Sequence, residues 1–400
     1  MSSLEADLQE AARIGADDGG VSRFAWTPEL AEANAWFVAR LQELGLEAQI
    51  DSAGNVFGRW NEGGETAVLV GSHLDTVPRG GRYDGALGVL AALEVVRSLK
   101  RAGATLRRPL WVVSFNDEEG GRFQTGMLGS RAFIGDLELD DWRARGVGDA
   151  MAAAGFDFDR LAEARGIDSV GAYLELHIEQ GPVLEQEGLD LGIVTAISGL
   201  LGFRVQLTGE ANHAGTTPMA SRRDALAGAS RVVLALRDEA RERGDMTANV
   251  GIVSVTPGGF NVIPGTAEFT IDVRAGDAET FARAERFVRD TLERVADEEQ
   301  LELEVSETHR KQPTPLDPEL QDVLAEAARA EGASFRRMPS GAGHDAMVLA
   351  KHVPAAMLFV PSRAGISHSP EEYTTPEQCA LGARVLARAV ARLVTNHSKE

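Results

Sequence analysis

Short apolar runs, each followed within a few positions by a histidine or a carboxylate, recur along this chain of 400 residues. The clearest runs lie at 67–70, 110–115, 173–177 and 355–360. Runs of this length and composition are typical of strands buried on both faces, and helical patterns such as 85–99 and 319–331 separate them. Strands that alternate with helices predict an α/β domain with a mostly parallel sheet and helices on both faces.

The pattern changes after residue 200. Strand-like alternation at 203–207, 250–255, 267–273 and 301–305 is interleaved with helical patterns at 222–243 and 278–297. The order β-α-β-β-α-β predicts a ferredoxin-like α+β domain. We therefore expect a discontinuous catalytic domain, residues 1–199 and 309–400, with an inserted dimerisation or lid domain at 200–308.

Charge and cysteine content exclude several classes of protein. The chain has 40 basic and 61 acidic residues, a net charge of −21, which repels nucleic acids and anionic membrane surfaces. We find no basic patch, no signal peptide and no apolar run of about 18 residues. Cys379 is the single cysteine, so no disulfide can form within the chain. We expect a cytoplasmic protein that binds neither nucleic acid nor membrane.

Metal-type ligands follow the predicted strands. They are His73 and Asp75, Asp84, Glu118 and Glu119, His177, and His368. Taken singly, Asp84 could be a helix cap and the paired glutamates a solvated helix face. Together, three histidines and three carboxylates at the carboxyl ends of strands suit two divalent ions, with Asp75 orienting the His73 imidazole.

Seven sequence blocks carry a resemblance to a known family. They are GSHLDTV (71–77) with YDG (83–85), NDEEGGRF (116–123), LHIEQGP (176–182), ANHAGTTP (211–218), NVIPG (261–265), SGAGHD (340–345) and GISHS (365–369). From about residue 20 to 395 the chain resembles the dinuclear metallopeptidase and aminoacylase superfamily. Within it, the chain is most similar to the branch of N-carbamoyl-L-amino-acid hydrolases and allantoate amidohydrolases.

The resemblance implies roles for the metal-type residues. It implies that two divalent ions, zinc or else manganese, cobalt or nickel, are held by His73, Asp84, Glu119, His177 and His368. Asp84 would bridge both ions, and His177 and His368 would each complete one of them. Glu118, next to the ligand Glu119, would be the general base.

The resemblance also implies substrate contacts and a partner. His213 would stabilise the oxyanion, and the remaining substrate contacts would be Gln180, Asn261, Arg274, and the backbone of Gly341 and Gly343. Asn261 and Arg274 resemble a clamp for a substrate carboxylate. The inserted domain would form a homodimer, in which His213 can act in the neighbouring subunit, and would close over a small ureido or carbamoyl substrate.

The implied reaction is hydrolysis of the ureido C–N bond of N-carbamoyl-L-amino acids to an L-amino acid, carbon dioxide and ammonia. Allantoate or ureidoglycolate is the nearest alternative substrate, and an aminoacylase or dipeptidase activity is a further one. Gln180 and the Gly-Ala-Gly-His segment favour the ureido branch. A non-enzymatic metal-binding scaffold is disfavoured by Glu118, because a scaffold needs no base beside its ligands.

Overall fold

The structure, a computed structural model, describes residues 3–61 and 64–395. The chain divides into two compact units. The first unit contains the chain up to Thr195, Leu316–Met338 and the chain from Gly343 onward, and the second contains Ala196–Pro315 with Pro339–Ala342. The second unit therefore extends several residues beyond the predicted range 200–308 on each side.

The first part of the chain supplies most of one large sheet. Its elements are α1 (Ser3–Ala11), β1 (Ala16–Asp17), β2 (Gly20–Val21), α2 (Pro28–Glu43), β3 (Glu47–Ile50), β4 (Val56–Trp60), β5 (Ala67–His73), α3 (Ala86–Arg101), β6 (Leu110–Phe115), α4 (Leu128–Ile134), α5 (Leu139–Ala144), α6 (Val147–Ala153), β7 (Val170–Ile178), α7 (Val183–Glu187) and β8 (Leu191–Ile197).

The middle and last parts of the chain follow. The middle elements are β9 (Gly199–Thr208), α8 (Ala225–Arg243), β10 (Met246–Asn249), β11 (Val253–Thr256), β12 (Thr266–Ala275), α9 (Ala278–Glu299) and β13 (Glu302–Lys311). The last elements are β14 (Thr314–Pro315), α10 (Pro318–Ala330), β15 (Phe335–Ser340), α11 (Asp345–Leu349), β16 (Ala355–Val360) and α12 (Pro376–Val394).

The large sheet has the order β14-β8-β16-β7-β5-β6-β4-β3, with β15 also paired to β8. Its four central strands, β16, β7, β5 and β6, are parallel, and antiparallel strands flank them on both sides. The predicted α/β class with a mostly parallel central sheet is confirmed. Because parallel strands end at the same edge, the carboxyl ends of these four strands lie together.

Both faces of the central strands are covered, which explains their continuous apolar runs. In β7, Leu174 and Leu176 belong to the core that includes α3 and α12. The alternate residues Glu175 and His177 lie on the opposite face of the strand, and α11 contacts β7. All of β5 is buried as well.

The second unit has a five-stranded antiparallel sheet in the order β10-β12-β9-β13, with β11 also paired to β12. Helices α8 and α9 contact each other and pack on this sheet, which is the predicted ferredoxin-like arrangement. The strand predicted at 250–255 differs in detail. β10 pairs with the end of β12 and β11 with its beginning, so two short strands share one edge and 250–252 interrupt them.

Across residues 3–61 and 64–395, no helix is both long and apolar enough to cross a membrane.

Candidate metal centre

Asp84 lies at the centre of the predicted ligands. Its Oδ1 is 3.1 Å from Nε2 of His177 and 3.6 Å from Nε2 of His73. Its Oδ2 is 3.5 Å from Nε2 of His368. The two oxygens of one carboxylate therefore face different histidines.

The adjacent glutamates lie on either side of this carboxylate. Oε2 of Glu119 is 3.5 Å from Nε2 of His368, and Oε2 of Glu118 is 3.7 Å from Nε2 of His73. Four groups of ligand atoms within 4.8 Å of one another occur among the described residues, and two of these groups use Asp84. These two are His73, Asp84 and His177, and Asp84, Glu119 and His368. Each group could hold one divalent cation, since both present only nitrogen and oxygen donors.

Local backbone geometry places these ligands. His73 is the last residue of β5, and Asp84 stands just before α3. Gly85 between Asp84 and the helix has φ +63°, and a Cβ there would come within 2.4 Å of the His73 ring. Only glycine fits this turn, because a side chain would be strained and would displace the histidine.

Backbone carbonyls orient both buried histidines. Nδ1 of His73 hydrogen-bonds to the carbonyl of Asp75 at 3.0 Å, and Nδ1 of His177 bonds to that of Ile178 at 2.8 Å. With Nδ1 as the donor, the lone pair on Nε2 of each ring is available to a cation bound beside Asp84. Asp75 thus contacts His73 by a hydrogen bond through its backbone carbonyl, while its Oδ1 lies 3.8 Å from the same Nδ1.

The carboxylate of Asp75 accepts hydrogen bonds from the backbone amides of the two adjacent glutamates. The backbone amide of Glu118 donates to its Oδ1 at 3.2 Å, and that of Glu119 donates to its Oδ2 at 3.1 Å. Arg23 lies behind this loop with its buried guanidinium donating to the carbonyls of Leu74 and Ala11. The loop that follows β5 therefore fixes the loop that follows β6.

The centre contains several buried carboxylates, whose negative charge bound cations would neutralise. Burial, with the charge of Glu119, raises the pKa of Glu118 well above its usual range, and burial with Asp84 raises the pKa of Glu119 to about 9. Burial alone would raise the pKa of Asp84, but His177 and His73 hold it low. Among the described residues, Oε1 of Glu119 has no hydrogen-bond partner. Buried carboxylates of this density are stabilised by bound cations.

Gln180 reaches this centre from the segment after β7. In a left-handed conformation with φ +58°, it places Nε2 2.8 Å from Oδ2 of Asp84 and 3.5 Å from Nε2 of His368. Its Oε1 is buried and has no hydrogen-bond partner among the residues that the structure describes. The substrate contact assigned to Gln180 stays a prediction.

In the second unit, His213 and Asn261 lie on two neighbouring loops. His213 forms an isolated β-bridge with Val262, and the carbonyl of Asn261 accepts a hydrogen bond from the amide of Ala214 at 2.9 Å. Nδ1 of His213 accepts from the amides of Gly215 and Thr216. The neutral ring therefore carries its proton on Nε2, where it can donate to a ligand.

Arg274 lies at the other end of β12 from this pair of loops. Its guanidinium donates to both carboxylate oxygens of Asp272 at 3.2 and 3.3 Å and to the carbonyl of Gly341 at 2.9 Å. Arg274 pairs with Leu200 at the start of β9, whereas Thr266 pairs with Thr208 at its end. The structure thus brings Arg274 together with Gly341 but separates it from His213 and Asn261.

The glycines at 341 and 343 have different surroundings. A Cβ at Gly341 would meet no described atom within 4 Å, whereas a Cβ at Gly343 would come within 2.6 Å of Cε of Met127. A side chain at 343 would therefore require the Met127 side chain to move, whereas one at 341 would not displace any described atom. Gly343 belongs to the first unit and Gly341 to the second.

Residues 69–392 match the sequence profile of the peptidase family M20/M25/M40. This chain is a member of that family. It is 42% identical over 396 residues to an N-carbamoyl-L-amino acid amidohydrolase of Geobacillus stearothermophilus, covering 96% of this chain and 97% of the relative. It is 38% identical over 401 residues to an allantoate amidohydrolase of Bacillus subtilis, covering 98% and 97%.

A solved structure agrees with the fold of this M20/M25/M40 family member. A hydantoinase/carbamoylase family amidase from Burkholderia ambifaria is 38% identical, with a TM-score of 0.89 over 98% of each chain. The family and these amidohydrolase relatives identify the chain as a hydrolase of amide bonds.

Several buried residues near the centre were not predicted. Glu175 accepts hydrogen bonds from Ser72 Oγ at 2.6 Å, from Tyr173 OH at 3.2 Å and from the amide of Ala346 at 3.2 Å. The His344 ring lies 4.5 Å from that of His177. The SGAGHD block contains His344, so that motif was a signal for its location. An acid inside an apolar strand, such as Glu175, follows no pattern that indicates a role.

Proposed function

We propose that this hydrolase cleaves the ureido C–N bond of N-carbamoyl-L-amino acids, giving an L-amino acid, carbon dioxide and ammonia. The observation that carries the proposal is the Asp84 carboxylate, whose two oxygens belong to two different groups of metal-type ligands, with Glu118 beside them. A urea-type carbonyl is a poor electrophile, and a centre with two cations and a base suits its hydrolysis.

The residues proposed to hold the cations are those that the geometry groups around Asp84: His73 and His177 on one side, and Glu119 and His368 on the other. When bound, such cations polarise the substrate carbonyl and make an attacking water more acidic. Zinc, manganese, cobalt and nickel all accept this donor set.

Glu118 is the proposed general base. It is buried, and Oε2 lies 3.7 Å from Nε2 of His73, so the carboxylate faces the centre. It accepts a proton from the attacking water and returns that proton to the leaving nitrogen as the C–N bond breaks. The Glu118 amide bound to Asp75 fixes the backbone from which this side chain projects.

Arg274 and His213 are the proposed substrate residues of the second unit. Arg274 binds the substrate carboxylate, and Asp272 and the Gly341 carbonyl hold its guanidinium in place. His213 donates Nε2–H to the developing oxyanion, since its Nδ1 already accepts two backbone amides.

We propose a homodimer because these two residues cannot serve one small substrate from the same chain. The positions 266 and 274 mark the two ends of β12, about 27 Å apart at the rise of an antiparallel strand. His213 and Asn261 adjoin the first end, and Arg274 stands at the second. A substrate the size of an amino acid would contact Arg274 of one subunit together with His213 and Asn261 of the partner subunit.

Allantoate is the second candidate substrate, and ureidoglycolate is its close chemical relative. The observation that favours them is the similarity to the Bacillus subtilis allantoate amidohydrolase over nearly the whole chain. All these substrates join a ureido group to a carboxylate, so the same centre and the same arginine suit them. The substrates of an aminoacylase or a dipeptidase have no ureido group.

A substrate panel tests the proposal. Purified protein loaded with each of the four metals is incubated with N-carbamoyl-L- and D-amino acids, allantoate, ureidoglycolate, N-acetyl amino acids and dipeptides. Ammonia and the free amino acid are measured. We expect ammonia release from the N-carbamoyl-L series, abolished by chelation. Release from allantoate alone would select the second candidate, and turnover of only acetylated or dipeptide substrates would contradict both.

A further inference from the structure

Glu372 is a buried carboxylate that touches the backbone of the central ligand. It is 4% exposed and lies in the segment between β16 and α12. Its Oε1 accepts hydrogen bonds from the amide of Tyr83 at 2.9 Å and from the amide of Asp84 at 3.1 Å. These two amides immediately precede α3, so the carboxylate fixes the turn from which Asp84 projects.

The other oxygen of Glu372 reaches the side chain of Asp84 through one hydroxyl. Oγ of Ser367 lies 2.9 Å from Oε2 of Glu372 and also 2.9 Å from Oδ2 of Asp84. Ser367 directly precedes the ligand His368. Glu372 is thereby linked to both the main chain and the carboxylate of the residue shared by the two ligand groups.

The surroundings leave room for this carboxylate. A Cβ on Gly81 would come within 2.0 Å of Oε1 of Glu372, so a side chain at position 81 would displace the acid. Glu372 itself belongs to none of the groups of ligand atoms found within 4.8 Å of one another in the described residues. Its hydrogen bonds are instead with the backbone amides of Tyr83 and Asp84 and with the hydroxyl of Ser367.

We propose that Glu372 is a positioning residue that sets the orientation of Asp84, and so the affinity for cations, through hydrogen bonds. The inference rests on the proposed function, because it assumes cations on both sides of Asp84. The amides of Tyr83 and Asp84 need an acceptor at one end of the side chain at position 372. The hydroxyl of Ser367 can pair with either an acceptor or a donor at the other end. A glutamine meets this need, since its oxygen accepts the two amides while its NH₂ donates to Ser367, which in turn donates to Asp84.

The test compares cation binding in four variants. Metal-free protein is titrated with Co²⁺, and its affinity and visible absorption spectrum are recorded for wild type, Glu372→Ala, Glu372→Gln, Ser367→Ala and the matched control Glu371→Ala. Glu371 is the exposed neighbouring acid. The unfolding midpoint of each metal-free protein is measured in parallel.

We expect Glu372→Ala to weaken Co²⁺ binding by about 10- to 100-fold and to change the spectrum, as loss of such supporting hydrogen bonds does elsewhere. Glu372→Gln should bind within about threefold of wild type, because the hydrogen bonds are kept. Ser367→Ala should weaken binding, and Glu371→Ala should match wild type.

Three results would overturn the inference. The first is equal Co²⁺ affinity and equal spectra for Glu372→Ala and Glu371→Ala. The second is a Co²⁺ affinity of Glu372→Gln as low as that of Glu372→Ala. The third, if Glu372→Ala does not fold, is an unchanged Co²⁺ affinity of Ser367→Ala. A wild-type protein that binds no Co²⁺ would instead contradict the proposed function, and the inference with it.

Discussion

The backbone amide of Glu118 donates a hydrogen bond to Oδ1 of Asp75 at 3.2 Å. The other carboxylate oxygen accepts from the next amide along, so a single aspartate fixes both adjacent glutamates. Because Glu118 faces His73 and Glu119 faces His368, small changes in this loop should alter the proposed base and a proposed ligand together.

Asp75→Ala should therefore damage both stability and metal binding. Each buried amide left without an acceptor costs about 1–3 kcal/mol in the free energy of unfolding. We also expect cation affinity to fall by about 10- to 100-fold. Urea unfolding and a cation titration measure the two effects. Asp290→Ala, an exposed change on α9, is the control, and equal behaviour of the two proteins would contradict the role of Asp75.

Glu118→Gln should separate chemistry from metal binding. We expect kcat to fall by about 10²- to 10⁴-fold with the cation content unchanged, because only the proton acceptor is lost. Glu119→Gln should lower the cation content, since Glu119 faces His368. Steady-state kinetics with metal analysis tests both variants. If Glu119→Gln kept its cations and Glu118→Gln lost them, the two assignments would be reversed.

The parallel strands were predictable, and so were the positions of the candidate ligands after them, because each follows a local pattern. β6 and β16 were predicted to the residue, since an apolar run bounded by polar residues marks both ends. Thr27 as N-cap and Pro28 at the first helical position mark the start of α2, but its alanines do not indicate which face is buried. Ala31 and Ala35 are exposed, while Leu30 and Ala33 face the core, because alanine fits either environment.

Contacts between distant parts of the chain were not predictable in this way. The role of Glu372 depends on amides 288 and 289 positions earlier, which no local pattern indicates. The helices α4, α5 and α6 are short, with no stripe long enough to give a helical period. The separation of Arg274 from Asn261 could be recognised only from the register in which β12 pairs with β9.

Arg274→Ala should raise KM for substrates with a carboxylate. A hydrogen bond to a charged group contributes about 1.5–3 kcal/mol to binding, so its loss should raise KM by roughly 10-fold or more. The KM of an amidated substrate should not change, because it lacks the carboxylate. Arg204→Ala, an exposed arginine on β9, is the control. Equal KM values for Arg274→Ala and wild type would rule out the carboxylate contact.

Mixing two inactive proteins tests the proposed dimer. Glu118→Gln and His213→Ala subunits are exchanged, and exchange is verified with a mass-tagged subunit. A heterodimer has one site with an intact Glu118 and the partner's intact His213, so a statistical mixture should recover about a quarter of the wild-type activity. Full exchange without recovery would place His213 in its own chain's site.

Cys379 should be unreactive in the native protein. Burial raises the pKa of its thiol to about 12, and the thiolate is the reactive form. A disulfide reagent at pH 8 should modify the folded protein very slowly and should modify one thiol per chain in denaturant. Rapid modification without denaturant would show that α12 does not bury Cys379 in the native protein.

The hydrogen bond from the Asp84 amide to Glu372 joins residues 288 positions apart. At 5–20 residues per second, roughly 15–60 s separate the synthesis of these two residues on the ribosome. The nascent chain therefore exposes an incomplete ligand set during most of its translation. If the proposed cations are bound, the complete set of candidate ligands becomes available only after His368 has been synthesised, so metal supply during recombinant expression should determine which ion the purified protein carries.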